Sequence, residues 1–329
     1  MDIDMLLMLQ DLRNGGGAVL VTFLQKMTFF GELSTVIALM ALVYWAVDKK
    51  LGTYYLMGWS GNRLANGFLK VTVCAYRPWI RDARIVPYGD SMTTATGYSF
   101  PSGHTTNAGT ILGGLAVRKD MGTLLRVLSF VGVLLVGFSR LYLGVHTPQD
   151  VIVGMAASML VMYLTYRLLC WLEVHPEKDM LVLVIGLVLA IALAIYAAVK
   201  PYPADYTAEG KLIVDGAKMA NDTFKAVGYC SAFLIGWILE RRFVNFTTDG
   251  VSMKDRLIRV VGGFLGYYVI ELILKKIITD NVPSPVNSIL VCFIAIFYVT
   301  FLCPLAIKFI ERKRGEVGQK KAASGARGV

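Results

Sequence analysis

The sequence predicts an all-α membrane protein, a polytopic transmembrane helical bundle. Hydrophobic residues make up 56% of the 329 residues, and the mean hydropathy is +0.58. Several apolar runs have about 20 residues, the length that a helix needs to cross a bilayer. These runs are rich in Leu, Val, Ile and Ala and lack strict two-residue alternation, which favours helices over the strands of a membrane barrel.

The elements follow in order from the first residue. Residues 1–30 contain short amphipathic pieces, interrupted by three glycines at 15–17, and are predicted to lie at the membrane interface. They lack the pattern of a cleavable signal peptide, so we expect the first span to direct insertion. Nine candidate spans follow, at 32–47, 51–75, 103–117, 122–142, 149–172, 180–199, 223–240, 257–278 and 287–310.

The basic residues predict the orientation of these spans. The net charge of +10 could indicate nucleic acid as the partner of a soluble protein, but more than half of the 33 Lys and Arg residues lie in alternate turns and in the tail. We therefore expect no nucleic-acid partner. The basic turns are predicted to face the cytoplasm, and four segments are predicted to face away from it: 76–102, 143–148, 200–222 and 279–286.

The cysteines and histidines limit the chemistry. Five cysteines are scattered through or beside apolar segments, with no close pair and no metal-ligand spacing, so we expect no disulfide, no metal and no cofactor. Of the three histidines, His175 lies in a cytoplasmic turn and is interpreted as a packed or snorkelling residue. His104 and His146 lie beside polar clusters near the outer ends of the second to fifth spans.

The first cluster is LKVTVCAYRPW, residues 69–79. Lys70 and Arg77 are seven residues apart, about two helical turns, and are predicted to share one face of the second span. Pro78 is predicted to end that helix. Two cations would then face the same region at the outer end of the span.

The second cluster is FPSGH, residues 100–104. Ser102 is predicted to cap the third span, and Gly103 allows a ligand to approach the backbone closely. The free N–H groups at the start of a helix attract anions. His104 would stand at this anion-binding helix start.

The third cluster is SRLYLGVHTPQD, residues 139–150. Thr147 is a good N-cap for the fifth span, Pro148 suits its first position, and Asp150 is placed to complete a capping box. An aspartate that holds one imidazole nitrogen of His146 would leave the other as a better nucleophile or base. Together with Arg140, the three clusters predict an anion site with acid–base groups, and three cations suit a phosphoryl group better than a carboxylate.

These three motifs, in this order, resemble the signatures of the type 2 phosphatidic acid phosphatases. They are K-x6-R-P from Lys70 to Pro78, P-S-G-H from Pro101 to His104, and S-R-x5-H-x3-D from Ser139 to Asp150. The family is also called the lipid phosphate phosphatases and is related to glucose-6-phosphatase and the vanadium haloperoxidases. The resemblance covers about residues 30–172, and three spaced motifs are far more specific than P-S-G-H alone.

The resemblance implies a metal-independent phosphatase. His146 would be the nucleophile that forms a phosphohistidine, Asp150 would orient it, and His104 would protonate the leaving group and then activate water. The remaining signature residues would hold the phosphoryl oxygens: Lys70, Arg77, Ser102, Gly103 and Arg140.

Other charged residues leave alternatives open. Arg81 and Arg84 could extend the anion site or pair with Asp82 and Asp90. Glu271 could form an ion pair with its i+4 neighbour, Lys275, or grip a substrate headgroup.

The predicted organisation has four parts. An interfacial segment, 1–30, precedes a phosphatase-like membrane core, 31–175, which is followed by additional helices, 176–312, and a disordered basic tail, 313–329. The additional helices could aid substrate access, stability or assembly of a homo-oligomer. We expect an integral protein of a bacterial cytoplasmic membrane whose site faces outward.

The expected substrate is a membrane lipid with a phosphate headgroup, such as phosphatidate, phosphatidylglycerophosphate or a polyprenyl diphosphate. A soluble sugar-phosphate phosphatase of the glucose-6-phosphatase type is the alternative from the same class. A lipid carrier or scramblase is the alternative from another class, although binding alone needs neither a nucleophile nor an orienting carboxylate.

Overall fold

The computed structural model describes residues 2–16, 18–279 and 281–325, with the side chains at 18, 275 and 315–325 outside the description. Within these residues the regular elements are helices, and the one extended pairing is an isolated bridge between Tyr206 and Leu212. The predicted all-α class is confirmed. The α-helices are α1 (Asp2–Asn14), α2 (Ala18–Met27), α3 (Leu33–Leu42), α4 (Lys49–Val73), α5 (Pro78–Arg81), α6 (Gly103–Ala108), α7 (Gly114–Val117), α8 (Thr123–Tyr142), α9 (Pro148–Val174), α10 (Asp179–Val199), α11 (Gly216–Leu239), α12 (Met253–Leu274), α13 (Val286–Phe297) and α14 (Cys303–Gly325).

Five wider π-helical turns extend or join these helices. The turn at Gly109–Gly113 links α6 to α7, so that 103–117 forms one helical segment, and Tyr298–Leu302 links α13 to α14. The other three extend α3, α11 and α12, at Val43–Val47, Glu240–Val244 and Lys275–Thr279.

Each of the nine predicted spans coincides with a helical segment, but the exact count of nine membrane crossings is not confirmed. By length and composition, five helical segments within the described residues could cross a membrane: Thr123–Tyr142, Pro148–Val174, Pro176–Val199, Met253–Thr279 and Val286–Arg314. A sixth would be the pair Val19–Gly31 and Leu33–Val47, which is bent by 55°. Helix α4 does not qualify because it is rich in polar residues, which it buries against other helices.

The two ends of the bundle carry different segments. One end, the site end, gathers the segments predicted to lie outside, and the other, the basic end, gathers the Lys- and Arg-rich turns. If successive spans cross the membrane in alternate directions, some of the connecting segments fall on the same side. Such segments contact each other in the structure. At the site end, hydrogen bonds join Tyr88 to Leu143 and Asn221 to Ser284. At the basic end, ion pairs join Lys49 to Glu240 and Asp255 to Arg314.

The additional helices pack directly on the predicted phosphatase core. Helix α11 lies against α4, α10 and α13, and the main apolar cluster spans this junction. Large side chains fill the cluster, among them Trp45, Trp59 and Phe233, each at most 1% exposed. This burial fixes α4, which carries Lys70, between the two halves of the protein.

The first two helices lie at the site end, against α8. Leu6, Leu9, Val21 and Leu24 are buried in a cluster that includes Leu141 and Tyr142. Arg13 is also buried there, and its guanidinium donates to the carbonyls of Tyr142 and Val86. These helices therefore buttress the end of the helix that carries Arg140.

The last helix extends farther than the sequence predicts. Helix α14 continues to Gly325, so that residues 313–325 are helical where a disordered tail is expected. Of its 13 residues, seven are Lys, Glu, Gln or Ala, which favour a helix, three are Gly, which do not, and no proline interrupts it. Residues 326–329 of the predicted tail lie outside the described residues.

Candidate active site

The first motif brings Lys70 and Arg77 together in a way that differs from the predicted shared helix face. Helix α4 ends at Val73, because Cys74 adopts a left-handed conformation with φ of 50° and its N–H closes the helix on the Lys70 carbonyl. Arg77 follows in an extended conformation, and Pro78 begins α5 instead of ending α4. The prediction of one continuous face was therefore wrong, although both cations reach the site end.

Arg77 is held by backbone carbonyls from two loops. The guanidinium is 3% exposed and donates through Nε to Gly97, through Nη2 to Thr96 and through Nη1 to Val145, at 3.0–3.1 Å. Its Nη1 also lies 2.9 Å from His146 Nε2. The side chain thus joins the loop before the second motif to the loop that carries His146.

The third motif builds the capping box that the sequence predicts. Thr147 caps α9 by accepting a hydrogen bond from the Asp150 N–H, and the Asp150 carboxylate accepts one from the Thr147 N–H, at 2.8 Å. The same carboxylate oxygen, Oδ2, lies 3.3 Å from His146 Nδ1. The start of α9 therefore orients both the aspartate and the imidazole.

The contacts of His146 define which nitrogen carries the proton. A guanidinium only donates, so Nε2, which faces Arg77, must accept and is unprotonated. The proton of the neutral ring then lies on Nδ1, where it can be donated to Asp150. This tautomer leaves an electron pair on Nε2, on the side of the ring that faces Arg77.

The surroundings of His146 also favour its neutral form. The side chain is 2% exposed. Burial, reinforced by the positive charge of Arg77, lowers the pKa of His146 below its ordinary range, and the Asp150 carboxylate opposes this shift only in part. The ring is therefore neutral at neutral pH.

Ser99 is a member of this group that the sequence analysis missed. Its hydroxyl donates a short hydrogen bond to Asp150 Oδ2, and its Oγ lies 3.4 Å from His146 Nδ1. Its backbone N–H binds the Ala75 carbonyl at 2.7 Å. The only sequence signal is its position two residues before P-S-G-H, and a lone serine there is not distinctive.

The second motif forms the start of α6, as predicted. Ser102 is fully buried and caps the helix by accepting from the Thr105 N–H, and its own N–H donates to the Asp150 carbonyl at 2.9 Å. A Cβ built on Gly103 would meet open space, so a ligand can approach the backbone there. A Cβ on Gly154 would lie 3.0 Å from the Ser102 carbonyl, which shows how closely α9 packs on the motif.

His104 lies on the wall of an open cavity, within electrostatic range of four site residues: Arg140, His146, Arg77 and Lys70. The turn before α3 packs tightly against it, because a Cβ on Gly31 would come within 2.8 Å of the His104 Cβ. Asn107 Nδ2 holds the same turn through the Gly31 carbonyl at 2.8 Å. The sequence gives no signal for this support.

Arg140 differs from Arg77 because two of its guanidinium nitrogens lack a hydrogen-bond partner among the described residues. It is 1% exposed, and neither its Nε nor its Nη2 makes a hydrogen bond within the described part of the chain. Lys70 Nζ donates to the Tyr98 carbonyl at 3.2 Å, which leaves capacity for two more bonds. The site thus offers buried donors that a bound phosphoryl group could satisfy.

Two nearby arginines are accounted for by ion pairs. Arg84 lies 2.7 Å from Asp82, and Arg81 lies 2.7 Å from Asp2. Of the two alternatives left open for them, the structure favours pairing, although the partner of Arg81 is Asp2. Glu271 lines the cavity beside His104, whereas the predicted ion pair with Lys275 involves a side chain outside the described residues.

Comparison with known proteins identifies both halves of the chain. Residues 51–173 match the PAP2 superfamily, and residues 224–313 match the PAP2 superfamily phosphatase, transmembrane extension. No solved structure matches the chain significantly.

Two curated proteins are similar to parts of it. Lipid phosphate phosphatase delta of Arabidopsis thaliana is 27% identical over 187 residues, which cover 50% of this chain and 43% of the plant protein. Phosphatidylglycerophosphatase B of Bacillus subtilis (strain 168) is 32% identical over 124 residues, 34% of this chain and 55% of the bacterial protein. The matched region spans about half the length of each relative. These matches confirm the family predicted from the three motifs: the chain is an integral membrane protein that belongs to the PAP2 superfamily.

Proposed function

We propose that this protein is a membrane phosphatase that hydrolyses the phosphate monoester or diphosphate of a lipid. The observation that carries the proposal is the arrangement of His146, whose Nε2 electron pair lies among buried cations while Nδ1 lies 3.3 Å from Asp150. A site that only binds an anion needs the cations but not an oriented, neutral imidazole. The names of the two relatives support a lipid phosphate as the substrate class.

The first step forms a phosphohistidine. A phosphoryl oxygen takes the place of His146 Nε2 as the acceptor for Arg77, and Nε2 attacks phosphorus as the bond to the leaving oxygen breaks. His104 gives its proton to that oxygen. Asp150 and Ser99 stabilise the imidazolium character that develops on His146, because both contact the Nδ1 side of the ring.

The second step releases inorganic phosphate. The neutral His104 takes a proton from water, the resulting hydroxide attacks phosphorus, and the bond between phosphorus and Nε2 breaks. Arg140, Arg77 and Lys70 stabilise the negative charge on the phosphoryl oxygens in both steps, with Ser102 and the Gly103 N–H at the helix start. No step calls for a metal or another cofactor, because these cations supply the positive charge.

A panel of phosphate compounds tests the proposal. Protein purified in detergent is given phosphatidate, phosphatidylglycerophosphate, a polyprenyl diphosphate and glucose 6-phosphate, and released phosphate is measured. We expect release from at least one lipid and little from the sugar phosphate. Release from glucose 6-phosphate alone would point to a soluble substrate, and no release from any compound would contradict the proposed function.

We further propose that the site faces outward from a bacterial cytoplasmic membrane, because the opposite end of the bundle carries most of the basic turns. Single cysteines at the exposed positions Asp90 and Asp249, in a protein without its native cysteines, test this orientation. A membrane-impermeant maleimide on intact cells should label Asp90→Cys and not Asp249→Cys. The reverse labelling would place the site at the cytoplasmic face.

A further inference from the structure

A cavity of about 690 Å³ begins beside the candidate active site and continues between the two halves of the protein. Gly103 and His104 lie on its wall at the site end, and Trp45 and Val299 lie on it at the far end. Its volume falls within the range of about 300–1,000 Å³ that is typical of small-molecule sites. The cavity is therefore large enough for a ligand and continuous with the residue proposed to protonate the leaving group.

One face of α3 and its π turn lines the cavity along its length. The lining positions recur every three or four residues, so they form a single stripe down the helix. They are Ser34, Ile37, Ala38, Ala41 and Trp45. At about 1.5 Å per residue, this stripe is about 16 Å long. Its alanines leave the space that larger side chains would fill.

The opposite wall comes from the transmembrane extension. Phe264, Tyr267 and Glu271 of α12 line the cavity, with Tyr229 of α11. Phe264 also packs edge-on against Trp45, with ring centroids 5.5 Å apart, which joins the two walls. The extension therefore forms one wall of the cavity.

An arginine, Arg63, also lines the cavity, and one of its buried nitrogens has no hydrogen-bond partner in the part of the chain that is described. Arg63 lies two turns before Lys70 on α4, and its Nε makes no hydrogen bond within the described residues. An arginine at membrane depth is costly unless it has an oxygen partner. Because it lies about 10 Å along the helix from Lys70, that partner would belong to a part of the ligand beyond the reacting phosphate.

We infer that this cavity receives one hydrocarbon chain of the lipid substrate, with Arg63 donating a hydrogen bond to the carbonyl oxygen of the ester at the head of that chain. The inference rests on the proposed function and adds a role for the extension, which forms one wall of the chain site. A glycerolipid phosphate fits these features better than a polyprenyl diphosphate, whose chain carries no oxygen beyond the diphosphate.

Filling the cavity tests the inference. Ala38→Phe adds bulk to the α3 stripe, and Ala192→Phe, on the exposed face of α10, is the matched control. We expect Ala38→Phe to reduce kcat/KM for dioleoyl phosphatidate by about tenfold or more, the scale for crowding an apolar pocket. Activity on water-soluble dibutyryl phosphatidate should change little, which shows that the variant is folded.

The outcomes separate the two proposals. Wild-type protein that cleaves no lipid of the panel would contradict the proposed function, whereas protein that cleaves a polyprenyl diphosphate but neither phosphatidate would overturn this inference alone. Wild-type protein that cleaves both lipids, while Ala38→Phe changes them equally or not at all, would overturn the chain site alone.

A second variant tests Arg63. Arg63→Met should lower kcat/KM for ester-linked dioleoyl phosphatidate and leave the ether-linked dioleyl analogue unchanged. An equal loss for both lipids, or no loss, would contradict the ester contact.

Discussion

At the basic end of the bundle, the buried charges have protein partners. Lys49 lies 2.7 Å from the fully buried Glu240, and Arg259 donates to Glu311 and to the Trp45 and Thr247 carbonyls. At the site end, Arg140 is equally buried, yet its Nε and Nη2 have no hydrogen-bond partner in the described residues. Both ends bury cations, and Arg77 at the site end is also held by backbone carbonyls, but Arg140 keeps two guanidinium nitrogens that form neither a hydrogen bond nor an ion pair within the described residues.

This difference separates structural charges from binding charges. A buried charge that is paired contributes to a specific packing arrangement, and breaking the pair destabilises the fold. A buried donor without a partner costs free energy, which the protein can recover when an anion binds. Substitutions at the basic end should therefore alter stability, and substitutions at the site end should alter catalysis.

The largest effect is expected at His146, the proposed nucleophile. His146→Ala should abolish turnover, because no other group in the site is positioned to accept the phosphoryl group. His175→Ala is the control, since that histidine stacks on Trp171 at the basic end. The measurement is phosphate release from the best lipid substrate. Substantial activity in His146→Ala would remove His146 from its assigned role.

The next largest effect compares the two buried arginines. Arg140→Met should lower kcat on the order of 100-fold, the scale for losing one transition-state donor, with little loss of stability. Arg259→Met should do the opposite: it should destabilise the protein by about 1.5–3 kcal/mol through lost charged hydrogen bonds while the folded fraction keeps its kcat. Thermal unfolding and kcat are measured for both. If both variants lowered kcat, or both lowered only the stability, the distinction between the two ends would be wrong.

A smaller effect is expected at Ser99. Ser99→Ala removes the hydroxyl that donates to Asp150, so the carboxylate should orient His146 less well. We expect kcat to fall about tenfold, near the lower limit for a hydrogen bond to a charged group. Ser129→Ala, a buried serine on α8, should have no comparable effect. Equal kinetics for the two variants would show that Ser99 does not position the carboxylate.

The smallest effect concerns pH. The proposed nucleophile, His146, must be unprotonated to react, and its lowered pKa keeps it unprotonated as the pH falls below the ordinary histidine value of about 6.5. The acid limb of kcat/KM for the wild type should therefore lie below pH 6.5. In Arg77→Met the limb should move to higher pH, because a positive charge beside the ring is lost. An unchanged limb would mean that another group controls it.

Much of the site could be predicted because its parts are short and local. The capping box of Thr147 and Asp150 and the Ser102 cap depend on neighbouring residues, and the structure contains both. The helix break after Val73 depends on Cys74 adopting a left-handed conformation, which is uncommon for a residue other than glycine. The prediction that Lys70 and Arg77 share one helix face was therefore wrong.

Long-range contacts were beyond prediction. Gly31 and His104 are separated by more than 70 residues, and nothing in either segment indicates that they touch. The polar composition of α4 likewise does not reveal that other helices bury it on several sides. A helix that is surrounded by protein can be polar and still cross the membrane. The number of spans found by hydropathy is therefore smaller than the number of long helices.

The phosphoenzyme gives the most direct test of the central claim, that the cations of the site and the oriented imidazole together transfer a phosphoryl group. Wild-type protein is mixed with a ³²P-labelled lipid phosphate, quenched rapidly in base and analysed for protein-bound label. The account predicts label that is stable in base and labile in acid, as expected of a phosphohistidine, and none in His146→Ala. Label that persists in His146→Ala, or turnover by the wild type without any trapped label, would contradict it.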